Sequence, residues 1–148
     1  MARFKDPNVV AAAFQPYLEP GEQLKHWAFG VKQPSMLLIL PLFFLAILPG
    51  AIAVALLTKE YIVGLTDRRF IVLRFKGKKL DVQEVIEYPL SQLPPVEAST
   101  GGLFTHIKVL DPAKPFVAKF HRLGMPGNRE HGQAIEAALT GRPAPTGV

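Results

Sequence analysis

EYIVGLTDRRFIVLRFKGKKLDVQEVIEY, residues Glu60–Tyr88, reads as three β-strands in immediate succession. Apolar, aromatic and β-branched residues fill EYIVGL, RFIVLRFK and LDVQEVIEY, the composition that suits a pleated, half-buried surface. Between them stand Thr66-Asp67-Arg68 and Lys76-Gly77-Lys78, which tolerate tight reversal and hydrogen-bond local backbone. Strands joined by turns this short must lie antiparallel, so the segment predicts a meander.

Working outward, EQLKHWAFGVK alternates, with Leu24, His26, Ala28 and Gly30 on one face and Lys25, Trp27, Phe29 and Val31 on the other. This predicts a first strand over Glu22–Lys32. On the far side, Pro89 and Pro94-Pro95 break the pattern before VEAST, and Gly101-Gly102 marks a turn. LFTHIKVL and FVAKFH then flank Asp111-Pro112-Ala113-Lys114-Pro115, a hairpin loop with suitable turn chemistry. A helix is expected from Asn128 to Leu139, with His131, Ala134, Ile135, Ala138 and Leu139 on one stripe and Gly141 past its end. At the other terminus, Asp6-Pro7 before NVVAAAF supplies the cap and first-turn proline of a short helix, ended by Pro16 or by Glu19-Pro20-Gly21.

One stretch fits none of these periods. Gln33 to Thr58 carries no charge, and Met36 to Leu57 (MLLILPLFFLAILPGAIAVALL) is aliphatic, Phe, Gly and Pro throughout. As a single helix it would rise about 33 Å, near the roughly 30 Å of a bilayer's hydrocarbon layer. With no polar face, it predicts burial in lipid before burial against a partner or in this chain's own modest core. Met36, Leu40, Phe43, Phe44, Leu45, Ile47, Leu48, Ile52, Val54 and Leu57 would make the membrane contact. It is not expected to be a signal peptide, because amphipathic sequence precedes it and no small-residue cleavage pattern follows. Pro41 and Pro49-Gly50 divide it, so it is expected either as one kinked span or as a re-entrant hairpin.

The formal charge of the 148 residues is +5, and Lys59 to Leu80 accounts for all of it: Lys59, Arg68, Arg69, Arg74, Lys76, Lys78 and Lys79 stand against Glu60 and Asp67. Beside an apolar segment such a cluster suits anionic headgroups, at about 1 kcal/mol per basic residue, or a solvated strand face. Few stacking aromatics interleave with it, so no nucleic acid is expected as partner. With no cysteine, the chain has no disulfide framework or thiolate metal site.

Seven strands and a C-terminal helix are the order of a pleckstrin-homology-like (PH-like) domain. Leu18-Glu19-Pro20-Gly21-Glu22, an apolar insert after strand one, Tyr61-x-Val63-x-Leu65-Thr66-Asp67-Arg68-Arg69 and Tyr88-Pro89-Leu90-Ser91-Gln92-Leu93 together resemble the bacterial PH-like families. The resemblance implies a mainly β fold: a seven-stranded barrel with a C-terminal helix plus a membrane-embedded apolar segment. It divides the chain into a helical arm over 1–20, a PH-like domain over 21–140 interrupted by the insert at 34–58, and a tail over 141–148. It carries over no catalytic residue. The basic phosphoinositide signature of eukaryotic relatives would fall in the loop after strand one, where this chain is hydrocarbon-like. Pairing of Glu22–Lys32 with Glu60–Leu65 would put both ends of the insert on one side of a membrane, which favours the hairpin over the span.

The chemistry-bearing residues form no reaction motif. His26, His106, His121 and His131 show no metal spacing, and a cross-strand polar pair of His106 with His121 is far commoner than a ligand set. No serine sits in a nucleophile elbow, the glycine pairs lack the features of a phosphate loop, and Glu84 and Glu87 fall on opposite strand faces. Trp27 and Tyr61 flank the apolar run, as interfacial rings or as core. The expectation is a non-enzymatic module without cofactor or metal, anchored at the cytoplasmic face of the plasma membrane, that scaffolds or regulates a protein complex. The alternatives are an anionic-lipid-binding domain, with Lys59, Arg68, Arg69, Arg74, Lys76, Lys78 and Lys79 meeting the headgroup, and an accessory subunit or homo-oligomer whose insert packs into a larger assembly.

Overall fold

The two strands at the centre of the expected meander are buried on both faces, and this sets the architecture. In the computed structural model, which describes residues 6–32, 58–76 and 80–141, β2 (Lys59–Thr66) and β3 (Arg69–Lys76) are almost wholly enclosed. They are joined by β1 (Leu24–Lys32), β4 (Asp81–Pro89), β5 (Val96–Thr100), β6 (Phe104–Val109) and β7 (Phe116–His121) in one antiparallel sheet of order β4-β3-β2-β1-β7-β6-β5. Two α-helices complete the described fold, α1 (Pro7–Phe14) and α2 (Asn128–Thr140).

The sheet folds over on itself. Val63, Leu65, Phe70 and Val72 of β2 and β3 meet Ile107, Val109, Phe116, Ala118 and Phe120 of β6 and β7, and Ile135 and Leu139 of α2 close the layer. Tyr61 stands edge-on to Phe116 at 5.1 Å. The opposite residues of β2 and β3, Ile62, Ile71, Leu73 and Phe75, form a second core beneath Val10 and Phe14 of α1. The unbroken apolar runs of β2 and β3 thus follow from cover on both sides, by the facing half-sheet and by α1.

Local signals place the helices. Asp6 caps α1 by accepting a 2.9 Å bond from Asn8 N–H, with Pro7 in the first turn. Gly127 and Gly141 bracket α2 with φ of 73° and 72°, values that an L side chain would strain. In β1 the register slips between Leu24 and His26, so Leu24 joins Trp27 and Phe29 at the second core. The expected face shared by Leu24, His26 and Ala28 is corrected by this bulge, which inserts a residue and reverses the side chain.

Two further corrections concern the architecture. The expected closed barrel is an open sheet with β4 and β5 at its edges, and β1 meets β7 through one bridge, Val31 with Lys119. The expected membrane-embedded segment is not supported either: among the described residues no helix is long and apolar enough to cross a membrane. Residues 34–57 of the insert, with Met36, Leu40, Phe43, Phe44, Leu45, Ile47, Leu48, Ile52, Val54 and Leu57, lie outside the described residues. Lys32 pairs with Lys59, and partners on an antiparallel ladder lie about 5 Å apart, so the two ends cannot sit across a bilayer as a single span requires. Residues 142–148 of the expected tail also lie outside the described residues.

Candidate functional site

Three lysines from different parts of the chain line one pocket at an end of the sheet. Lys32 ends β1, Lys59 opens β2 opposite it, and Lys114 comes from the β6–β7 loop; with Tyr61, Glu84, Ile86, Phe116 and their neighbours they bound about 360 Å³. The loop is held in shape. Asp111 Oδ1 accepts from Ala113 N–H at 3.0 Å, and the Tyr88 hydroxyl donates to the Lys114 carbonyl. Burial pushes the Tyr88 phenol up to about 12, helped by the charge of Asp111, so it remains a donor at neutral pH. Burial also raises Tyr61, with the Glu84 charge acting the same way and Arg74 opposing.

Glu84 is the pocket's carboxylate, and Arg74 answers it. Arg74 Nε stands 3.5 Å from Glu84 Oε2, within ion-pair range though without a hydrogen bond. Among the described residues the ion pairs engage Arg68, Arg69 and Arg74, and none involves Lys32, Lys59 or Lys114. A larger concavity of about 630 Å³ along β5–β7 shares Lys32 and adds Lys108 and Lys119, but there Lys108 stands opposite Glu97 and Lys119 lies over the Phe104 ring at 5.1 Å.

The basic residues singled out from sequence scatter. Arg69 is 11% exposed and commits its guanidinium to the buried Glu22 carboxylate, the Tyr17 carbonyl at 2.9 Å and Glu87 at 2.8 Å. Arg68 pairs with Glu19 at 3.1 Å and with Asp67 at the β2–β3 turn, the end of the sheet away from the pocket. Lys76 is exposed at the end of β3, opposite Asp81. Lys78 and Lys79 lie outside the described residues. Of the five that are described, Lys59 lines the pocket. Lys32 and Lys114 were missed because their nearness depends on register and hairpin reversal; the signal available was a lysine at a predicted strand end and another in a predicted turn.

The aromatic and histidine expectations also resolve. Tyr61 and Trp27 are packing residues, the first in the inner core and the second stacked on His131 at 4.5 Å. His106 and His121 do not face each other: their register partners are Lys119 and Phe104. Among the described residues no three His, Asp or Glu side chains gather where a metal could be held.

No family model matches the chain, and no curated protein does. Among solved structures it is similar to the hSac2 domain from human phosphoinositide phosphatase Sac2, with 11% identity over 90% of this chain and 78% of that one and a TM-score of 0.48. At that identity and score the likeness assigns no function.

Proposed function

We propose that the chain is a non-enzymatic PH-like binding module that takes the headgroup of an anionic lipid between Lys32, Lys59 and Lys114, and so works at a membrane surface. Seven strands followed by a closing helix support the PH-like reading. The observation that carries the ligand class is the pocket itself: three cationic side chains from separate backbone segments around one concavity where, among the described residues, the single carboxylate is already answered by Arg74. A phosphate or phosphodiester presents several acceptor oxygens to such donors, and each ammonium offers three N–H groups. Recognition of this kind needs no bond-making residue.

Sedimentation of the chain with phosphatidylcholine vesicles, with and without phosphatidylglycerol, tests the reading. Binding should be stronger to the anionic vesicles and weaken with salt. A Lys32→Glu/Lys59→Glu/Lys114→Glu variant should lose roughly a hundredfold or more of the anionic preference, at about 1 kcal/mol per lysine removed. Equal binding to both vesicle types, or a preference that survives the triple reversal, overturns it.

A further inference from the structure

Helix α2 is fastened to β1 by two contacts of different chemistry, and only one of them titrates. Asn128, at its start, bonds the backbone of Phe29 through an amide that is indifferent to pH. One turn on, His131 Nδ1 lies 3.2 Å from His26 Nδ1 of β1, the two rings edge to face with centroids 5.4 Å apart. The Trp27 ring stacks on His131, and Trp27 Nε1 is buried without a hydrogen-bond partner among the described residues. The imidazole pair and the indole therefore form one joint between strand and helix.

A hydrogen bond between two Nδ1 atoms has room for one proton. One ring donates its N–H and the other must present a lone pair. The joint survives with both rings neutral, or with one doubly protonated ring donating to its neutral partner. Two imidazolium rings would set N–H against N–H at 3.2 Å with like charges, and the bond is lost. The surroundings favour the neutral forms. Burial lowers both histidines first; Lys25 on β1 adds to this at His26, and His26 adds to it at His131, while Glu130 on α2 acts the other way on His131.

Among the described residues, the other elements against α2 bring no compensating charge to the pair. β5 and β6 meet the helix through Thr100 and Thr105, which lie at Glu136 and Gly132. On β7, His121 spends its Nδ1 on Leu123 N–H and sets its ring against Phe104, and Lys119 lies over that same Phe104 ring.

We propose that the His26–His131 pair is an acid-sensitive latch, whose double protonation parts α2 from β1 at His131, beyond the Asn128 bond, and uncovers Trp27. Because the folded rings hold their protons less tightly than free imidazole, the latch is fully closed above about pH 6.5 and opens as pH falls below it. For the second proton, the ratio of closed to open forms falls by up to about tenfold per pH unit.

Trp27 is the only tryptophan, so its fluorescence reports on the joint alone. Emission should shift to longer wavelength between about pH 7 and pH 5, within the range where histidine titrates. Hydrogen exchange at 131–135 should quicken over the same range while amides of β2 and β3 stay protected. His131→Phe, which keeps a ring against Trp27, and His26→Gln should each flatten both changes. A wild-type chain whose Trp27 emission and α2 exchange do not move over this range overturns the latch, as does a transition that persists unchanged in either variant. Quickened exchange in α2 and the central strands together would also overturn it, by showing global unfolding.

Discussion

The side-chain amide of Asn128 stands where a ladder partner of Phe29 would be. Its Oδ1 accepts from Phe29 N–H at 2.8 Å, and its Nδ2 donates to Phe29 O at 3.0 Å and to His121 O at 2.6 Å. β1 and β7 meet at Val31 and Lys119, and the amide bridges the two strands where they part. Asn128 is fully buried, and Asn128→Ala would remove three hydrogen bonds to backbone at about 0.5–1.5 kcal/mol each, although Gly124 N–H would still serve the His121 carbonyl at 2.8 Å. A loss of about 2–4 kcal/mol in urea unfolding is expected. Asn128→Asp should be no better at neutral pH, because a carboxylate would face two carbonyl oxygens. An aspartate variant as stable as the parent would show that the amide donors contribute nothing.

Arg69 and Glu22 predict a separate acid response. Arg69 grips both carboxylate oxygens, while Thr66 Oγ1 donates to Glu22 at 2.6 Å and Glu19 N–H at 2.9 Å. The Arg69 hydrogen bond is the main cause that lowers Glu22 from an ordinary 4.5 to about 2, against the opposing effect of burial. A depressed carboxyl contributes stability that is complete above its unfolded value and is lost as pH falls through its folded one. Stability should therefore decline between about pH 5 and pH 2, well below the histidine range. Glu22→Gln should remove that slope and cost about 1–3 kcal/mol at neutral pH, because Arg69 would keep only the half-exposed Glu87 as its anion. An unchanged acid slope in this variant would assign the response to other carboxylates.

Tyr88→Phe separates the shaping of the pocket from its charge. The ring would keep its place beside Phe70, at 6.1 Å, but the bond to the Lys114 carbonyl would go. Stability should fall by about 1 kcal/mol. Affinity for anionic vesicles should fall several-fold, because Lys114 would no longer be held over the pocket. Unaltered vesicle binding would mean that the β6–β7 loop needs no tether.

The strands were legible because β-branched and aromatic runs between Asp, Gly and Pro turns admit few other readings, and the α2 stripe ended at a glycine that could stop it. YIVGL and FIVLRF lack alternation, yet they read as half-buried strands because nothing local says that NVVAAAF covers a second face. That pairing spans more than fifty positions between Val10 and Ile62 and depends on the whole sheet. The Leu24 bulge leaves no mark in composition. The site was less legible for the same reason. Charge density along Lys59–Leu80 treats Arg68, Arg69 and Arg74 alike, whereas folding gives each its own carboxylate. Lys32 and Lys114 become neighbours only through a register and a hairpin.

Gly64 predicts how α1 is held. A Cβ there would lie 2.8 Å from Leu24 Cδ1, 2.8 Å from Phe14 Cε1 and 2.9 Å from Phe14 Cζ, closer than real contacts allow. Phe14 is fully buried, so the ring has no solvent to retreat into. Gly64→Ala should cost about 1–3 kcal/mol through overpacking, and Phe14→Ala about 3–5 kcal/mol through the cavity it leaves. The two effects should not add. Once the ring is gone the new methyl has room, so the double variant should be more stable than the sum of the single losses by about 1 kcal/mol or more. Limited proteolysis near Gln15–Tyr17 should quicken in each single variant, since the helix rather than the inner core is dislodged. Strict additivity would show that Gly64 and Phe14 do not meet, and that α1 lies elsewhere on the sheet.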